Sequence, residues 1–253
     1  MNKEGKYIYC IIALSEPRAF GRIGIGNRGD ELYTICSDNI GAVVSNSPII
    51  KYLVSRENML AHEKAIEEVM KEHTVLPVRF GTIAEDEEKV IKILGKEHHR
   101  FKDLLDKIEG KKELGLKAIF KEDVIYKNIL EKHEDIRALK EKIAKLPAEK
   151  TYYRRMEIGK MVEAALQKEK EIHKKVILST LSPLAVEVKT NDSYYELMII
   201  NTAFLVAKHN EVPFDQKVQE LDRKHSDKIK FKYVGTIPPF NFVNLIINTE
   251  EEY

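Results

Sequence analysis

Between Lys6 and Leu14 the chain reads YIYCIIAL, apolar on both alternating faces and rich in aromatic and β-branched side chains. A half-buried strand shows one polar face; a strand without one has to be covered on both sides. The run is therefore placed centrally in a sheet. A chain of 253 residues with 43% hydrophobic and 33% charged side chains can supply the covering layers, as one large domain or two small ones.

Downstream the pattern alternates between periods of two and 3.6. After a glycine-rich stretch from Gly21 to Asp30, ELYTICSDNIGAVVSNSP reads as two short strands joined through Asp38 to Gly41. From Arg56 to His73 the stripe Met59, His62, Ile66, Val69, Met70 and His73 describes an amphipathic helix packed on a sheet. TVLPVRFGT then returns to β character, and its internal proline assigns it to a sheet edge or a strand start. The first domain is expected to continue to residue 110.

KKELGLKAIF alternates Leu114, Leu116, Ala118 and Phe120 against charged or small residues, a half-buried strand opening a second unit. Two charged helices follow between Glu122 and Val176, interrupted at Pro147. The first carries Ile129, Ile136 and Ile143 at seven-residue steps and is read as lying on its own sheet. LAVEVKTN, YELMIINTAFLVA, a helix from about Pro213 to His225, and KIKFKYVGTI complete the order. The expected class is α+β, with a mixed N-terminal domain over residues 1–110. Residues 111–253 form a modified ferredoxin-like domain, βαββαβ with an enlarged helical first crossover.

Several chemistries lack support. Lys and Arg (42) nearly cancel Asp and Glu (41), leaving +1 and no global field for nucleic acid. The most apolar segment, Leu197 to Ala207, is much shorter than the roughly 18 apolar residues of a membrane span. Cys10 and Cys36 lack CxxC partners and sit among apolar residues, consistent with reduced thiols and a cytoplasmic protein. Gly24, Gly26 and Gly29 match GxGxxG, but the stretch leads into a strand, where a dinucleotide loop must open a helix. Ile66 stands where HExxH needs its second histidine, and His62 and His73 are about 16 Å apart along a helix, too far for one metal ion. No catalytic, cofactor or metal residues are assigned.

Two features remain. Arg79 lies inside VLPVRFGT among apolar and small neighbours, which predicts a buried guanidinium paired with Glu63 or Glu67 of the preceding helix; an anion or a partner's carboxylate is the alternative. TIPPFNFV, from Thr236 to Val243, reads either as a core-closing tail or as an exposed recognition ledge built from Pro238, Pro239, Phe240 and Phe242.

Taken together, YIYCIIAL, the AVVS from Ala42, the His62–Glu63 pair followed by TVLPVRFGT, KKELGLKAIF, the YYRRMEIGKMVE from Tyr152, NTAFLV from Asn201 and VGTIPPFNFV from Val234 resemble the gas vesicle protein F/L family, accessory proteins of gas vesicle formation. The family's usual ending is similar to GPWPPYSF. Here Ile237 and Phe240 replace its tryptophan and tyrosine, keeping bulk without the polar handles. The resemblance implies a two-domain α+β protein without catalytic activity or cofactor, located in the cytoplasm at the gas vesicle. It also implies contact with the hydrophobic shell protein and with other accessory proteins during assembly. Two rivals stand beside it: a small-molecule-binding regulatory ferredoxin-like module, and an enzyme using Arg79 with His62 and Glu63.

Overall fold

The computed structural model describes residues 3–147, 150–247 and 249. The chain divides into two compact units. The first runs to Glu113 and takes in the segment from Thr236 onward; the second is Leu114–Gly235. The end of the chain thus packs with the first unit, whereas the sequence placed all of 111–253 in the second. The physical reason is that Val243 and Leu245 join the first unit's apolar core, while the buried carboxylate of Glu113 holds Asn241.

The first unit is built on a six-stranded sheet. Its strands are β1 (Glu4–Ala13), β2 (Ala19–Gly21), β3 (Leu32–Ser37), β4 (Ile40–Pro48), β5 (Val75–Pro77) and β6 (Ile83–Ala84). The order is β2-β3-β4-β1-β5, with β6 also paired to β1. The doubly apolar β1 is central, and β5, interrupted by Pro77, is the edge expected of it. Helix α1 (Arg56–Met70) buries Ala65, Ile66 and Val69 with Tyr7, Tyr9, Cys10 and Ile12 of β1. Helices α2 (Glu87–Lys96) and α3 (His98–Ile108) form the second cluster with Ile8 and Ile11, joined by Val243 and Leu245 from the end of the chain.

A register shift between Ile8 and Cys10 against β4 sorts these residues. Strict alternation would send Cys10 and Ile12 to the side of Ile8. The bulge at Tyr9 instead keeps Tyr7, Tyr9, Cys10 and Ile12 together on the α1 side, where the two tyrosines find polar partners.

The second unit has a four-stranded sheet of β7 (Lys111–Phe120), β8 (Glu187–Thr190), β9 (Met198–Ala207) and β10 (Ile229–Ile237), ordered β10-β7-β9-β8. Helices α4 (Glu122–Lys132), α5 (Glu134–Ala144), α6 (Tyr152–Leu181) and α7 (Glu211–His225) complete it. The seven-residue isoleucine step does not belong to one helix: the backbone leaves helical geometry at His133 (φ −111°, ψ 91°), dividing Ile129 from Ile136 and Ile143. All three are nevertheless buried, because each short helix keeps its apolar stripe inward. Among the described residues, no helix is long and apolar enough to cross a membrane.

Candidate functional site

In the first unit an open, largely apolar cleft of about 370 Å³ is lined from three segments. Helix α1 supplies Met59 and His62, β5 and its following turn supply Pro77, Arg79 and Phe80, and the end of the chain supplies Phe240, Val243, Asn244 and Leu245. Both walls are held by buried polar groups.

The first wall is the turn from Val78 to Thr82. His62 is 2% exposed, and its Nε2 lies 3.1 Å from the Val78 carbonyl oxygen. A carbonyl can only accept, so Nε2 carries the proton, and Nδ1 is left to accept from the Tyr7 hydroxyl at 3.1 Å. The Tyr7 oxygen in turn accepts the Gly81 N–H at 2.9 Å. The Thr82 hydroxyl closes the turn by donating to the Arg79 carbonyl at 2.8 Å, and Gly81 adopts φ +82°, a conformation that would strain any side chain. Burial pushes the His62 pKa down to about 4, partly opposed by the hydrogen bond to Val78, so the ring is neutral near pH 7. Burial raises the Tyr7 hydroxyl above its ordinary range. His62 packs against Tyr7, Tyr9 and Phe80 at centroid distances of 5.7 Å and against Phe240 at 6.3 Å.

The second wall is the turn from Pro238 to Val243. The Phe242 and Val243 amides donate to the Pro239 carbonyl at 3.1 and 2.9 Å. Glu113, 1% exposed, accepts the Asn241 backbone N–H at 3.0 Å and its side-chain amide at 2.5 Å. Pro238, Pro239 and Phe242 are buried and close the core, while Phe240 remains 42% exposed on the cleft. The two readings of TIPPFNFV therefore divide within one turn. Three of the four ledge residues are core, and Phe240 faces outward.

Arg79 corrects the expectation drawn from its apolar neighbours. Its side chain is exposed, because the strand ends at Pro77 and Arg79 lies in the turn beyond it. Among the described residues, no ion pair joins Arg79 to Glu63 or Glu67. Those two half-buried carboxylates lie four residues apart on α1: burial raises the Glu63 pKa, and the nearby charge of Glu67 raises it further. The set proposed for an enzyme does not converge. His62 and Arg79 line the cleft and Glu63 does not, while both His62 nitrogens are occupied.

Elsewhere the local chemistry is structural. In the glycine-rich loop, Gly24 N–H donates to the Asp30 carbonyl at 3.0 Å and Ile25 N–H to the Tyr9 hydroxyl at 2.7 Å, so these amides are not turned toward a phosphate. Burial raises the Cys10 thiol, opposing thiolate formation. Among the described residues, no group of three or more His, Cys, Asp or Glu is arranged to hold a metal ion. Tyr7, Glu113, Phe80 and Met59 were not picked out as site residues from the sequence. Only Met59 had a local signal there, on the α1 stripe.

Comparison with known proteins gives a consistent likeness. The family model described as gas vesicle synthesis protein GvpL/GvpF matches residues 5–244. Gas vesicle protein F of Nostoc sp. (strain PCC 7120) is 28% identical over 246 residues, covering 95% of this chain and 98% of that protein. Its counterpart in Dolichospermum flosaquae is 28% identical over 244 residues, covering 94% and 97%. The crystal structure of GvpF from Anabaena sp. PCC7120 superposes with a TM-score of 0.81 at 27% identity, covering 96% of this chain and 100% of that one. The structure of GvpF from Microcystis aeruginosa gives 0.77 at 26% identity, covering 95% and 99%.

Proposed function

This chain belongs to the gas vesicle synthesis protein GvpL/GvpF family, and from that premise we propose that it is a non-enzymatic assembly factor whose first-unit cleft takes an apolar segment of the gas vesicle shell protein. The observation that carries the reading is the cleft itself. Its floor is apolar, and exposed Phe240 and Met59 stand on it. Both bordering turns are held by hydrogen bonds to buried side chains. A wall ordered before binding loses little entropy on binding, and an aromatic anchor on a stiff turn is the kind of residue that dominates interface energetics. A shell protein built to face gas exposes apolar surface until it is assembled, and such surface has to be covered.

On this reading the protein acts in the cytoplasm at the growing vesicle, alongside other accessory proteins, and needs no cofactor. The second unit is read as a modified ferredoxin-like domain. In its own strand sequence the sheet order is fourth, first, third, second, with α4 to α6 in the first crossover and α7 in the second, which supports that description. The test is co-purification with the shell protein from cells forming vesicles. Wild-type chain is expected to retain the shell protein, and Phe240→Ser to lose it while keeping the wild-type melting temperature. Retention undiminished in Phe240→Ser would remove the cleft from the account.

A further inference from the structure

The cleft also carries information about the segment it takes. Resting on the docking reading above, we propose that the bound segment presents an Asp or Glu carboxylate beside its apolar anchor, and that Arg79 receives that carboxylate. Three observations lead there. Among the residues lining the cleft, Arg79 is the cation at neutral pH, since His62 is buried and bonded at both nitrogens. Glu63 and Glu67, the carboxylates that the sequence offers nearby, form no ion pair with it. The turn that bears Arg79 is held at Val78, Arg79 and Gly81 by His62, Thr82 and Tyr7, so the backbone beneath the guanidinium is ordered in advance.

A guanidinium beside an apolar wall attracts a carboxylate more strongly than one surrounded by water, and its planar fork can grip both oxygens. A segment placing a cation, or nothing polar, against Arg79 gains no such pair and still removes water from the charge, so Arg79 discriminates as well as attracts. The size of the cleft sets the scale of the anchor. About 370 Å³ lies near the lower end of the roughly 300–1,000 Å³ of ligand pockets. It has room for an anchoring side chain or two, not for the whole face of a long helix. A small amphiphilic carboxylate shares this chemistry, but small-ligand sites bury about 70–90% of their ligand. Here the cleft is open, and Met59 and Phe240 stand on it 41% and 42% exposed, from two separate segments of the chain. That openness favours a polypeptide segment running over the rim.

Overlapping fluorescein-labelled peptides spanning the shell protein, titrated into the full chain by anisotropy at low and high salt, test the proposal. The tightest-binding peptide is expected to contain an acidic residue. Its affinity should fall roughly fivefold in Arg79→Gln, further in Arg79→Glu, with a weaker salt dependence in both, and the melting temperature should be unchanged because Arg79 is exposed. Replacing the acidic residue of the peptide by Lys should weaken binding to wild type and restore it to Arg79→Glu. Wild-type affinity in Arg79→Glu, with binding lost in Phe240→Ser, would overturn the carboxylate proposal and leave the docking reading standing. Peptides that bind Phe240→Ser as well as wild type, or that do not bind at all, would overturn the docking reading and this proposal with it. Saturable, Arg79-dependent binding of decanoate with peptide binding indifferent to Arg79 would overturn the proposal in favour of a small amphiphile.

Discussion

The two units differ in where their buried hydrogen bonds end. In the first, Tyr7, His62 and Glu113 reach from the core to the backbone of two surface turns, at Gly81, Val78 and Asn241, while Tyr9 holds Ile25 in a third loop. In the second, the core is dominated by aliphatic and phenylalanine side chains such as Leu116, Leu166, Phe204 and Phe214. Asn201, which holds the Asp192 carbonyl at 2.9 Å, is its counterpart to the first unit's arrangement. An apolar core stabilises an element through its area alone. A buried donor or acceptor that ends on turn backbone additionally specifies one conformation of that turn, because leaving the group unpaired costs about 1–3 kcal/mol. The difference explains why the ordered, partly exposed aromatic surface of Phe80 and Phe240 lies in the first unit.

Phe240 and Phe242 provide the largest expected effect. Phe242 is 4% exposed, so Phe242→Ser should cost about 3 to 5 kcal/mol in urea denaturation. Phe240→Ser should leave stability near wild type. Equal losses in both would mean that the turn is core throughout, and the contrast between its two faces would disappear.

Acid should act on the first unit next. The folded-state pKa of His62 is depressed from 6.5 to about 4, so neutral His62 stabilises the fold above pH 6.5, and this contribution is lost as pH falls toward 4. The full loss is about 3 kcal/mol. It should be read first as faster hydrogen exchange at Gly81 and Val78. In the second unit, the His173 and His225 rings meet edge to face with centroids 5.4 Å apart. Burial lowers both, followed by the charge of the other imidazole for His173 and of Lys224 for His225. Stability there moves in the same direction with pH, but less steeply, because both residues are only partly buried. Acid unfolding that begins in the second unit would reverse the comparison.

Glu113→Ala should have a smaller effect, about 1–3 kcal/mol, by leaving the Asn241 amide unsatisfied. Limited proteolysis between Pro238 and Val243 should follow. A variant as resistant as wild type would show that the prolines alone hold the turn.

Much of the framework was legible because it depends on local periodicity. KKELGLKAIF coincides with β7, and the proline in TVLPVRFGT marked an edge strand. The site was less legible because its determinants are non-local. Alternation along β7 puts Glu113 opposite the apolar positions. Its hydrogen-bond partner Asn241 is 128 residues away in sequence. The bulge at Tyr9 leaves no signature in YIYCIIAL, since every residue there is compatible with a core. Apolar flanks made Arg79 look buried, although the strand had already ended at Pro77 and Arg79 lies exposed in the turn beyond it. The heptad step across His133 misled differently: side-chain spacing persisted where the helix backbone did not.

The most direct test of the central claim compares one exposed aromatic in each unit. Phe240 stands on the cleft at 42% exposure, and Tyr153 stands at the start of α6 at 84%. A photo-crosslinking phenylalanine analogue placed at either position, in cells forming vesicles, reports which one touches the shell protein. Crosslinking from position 240 and not from 153 is the predicted result; crosslinking from 153 with none from 240 would contradict the account.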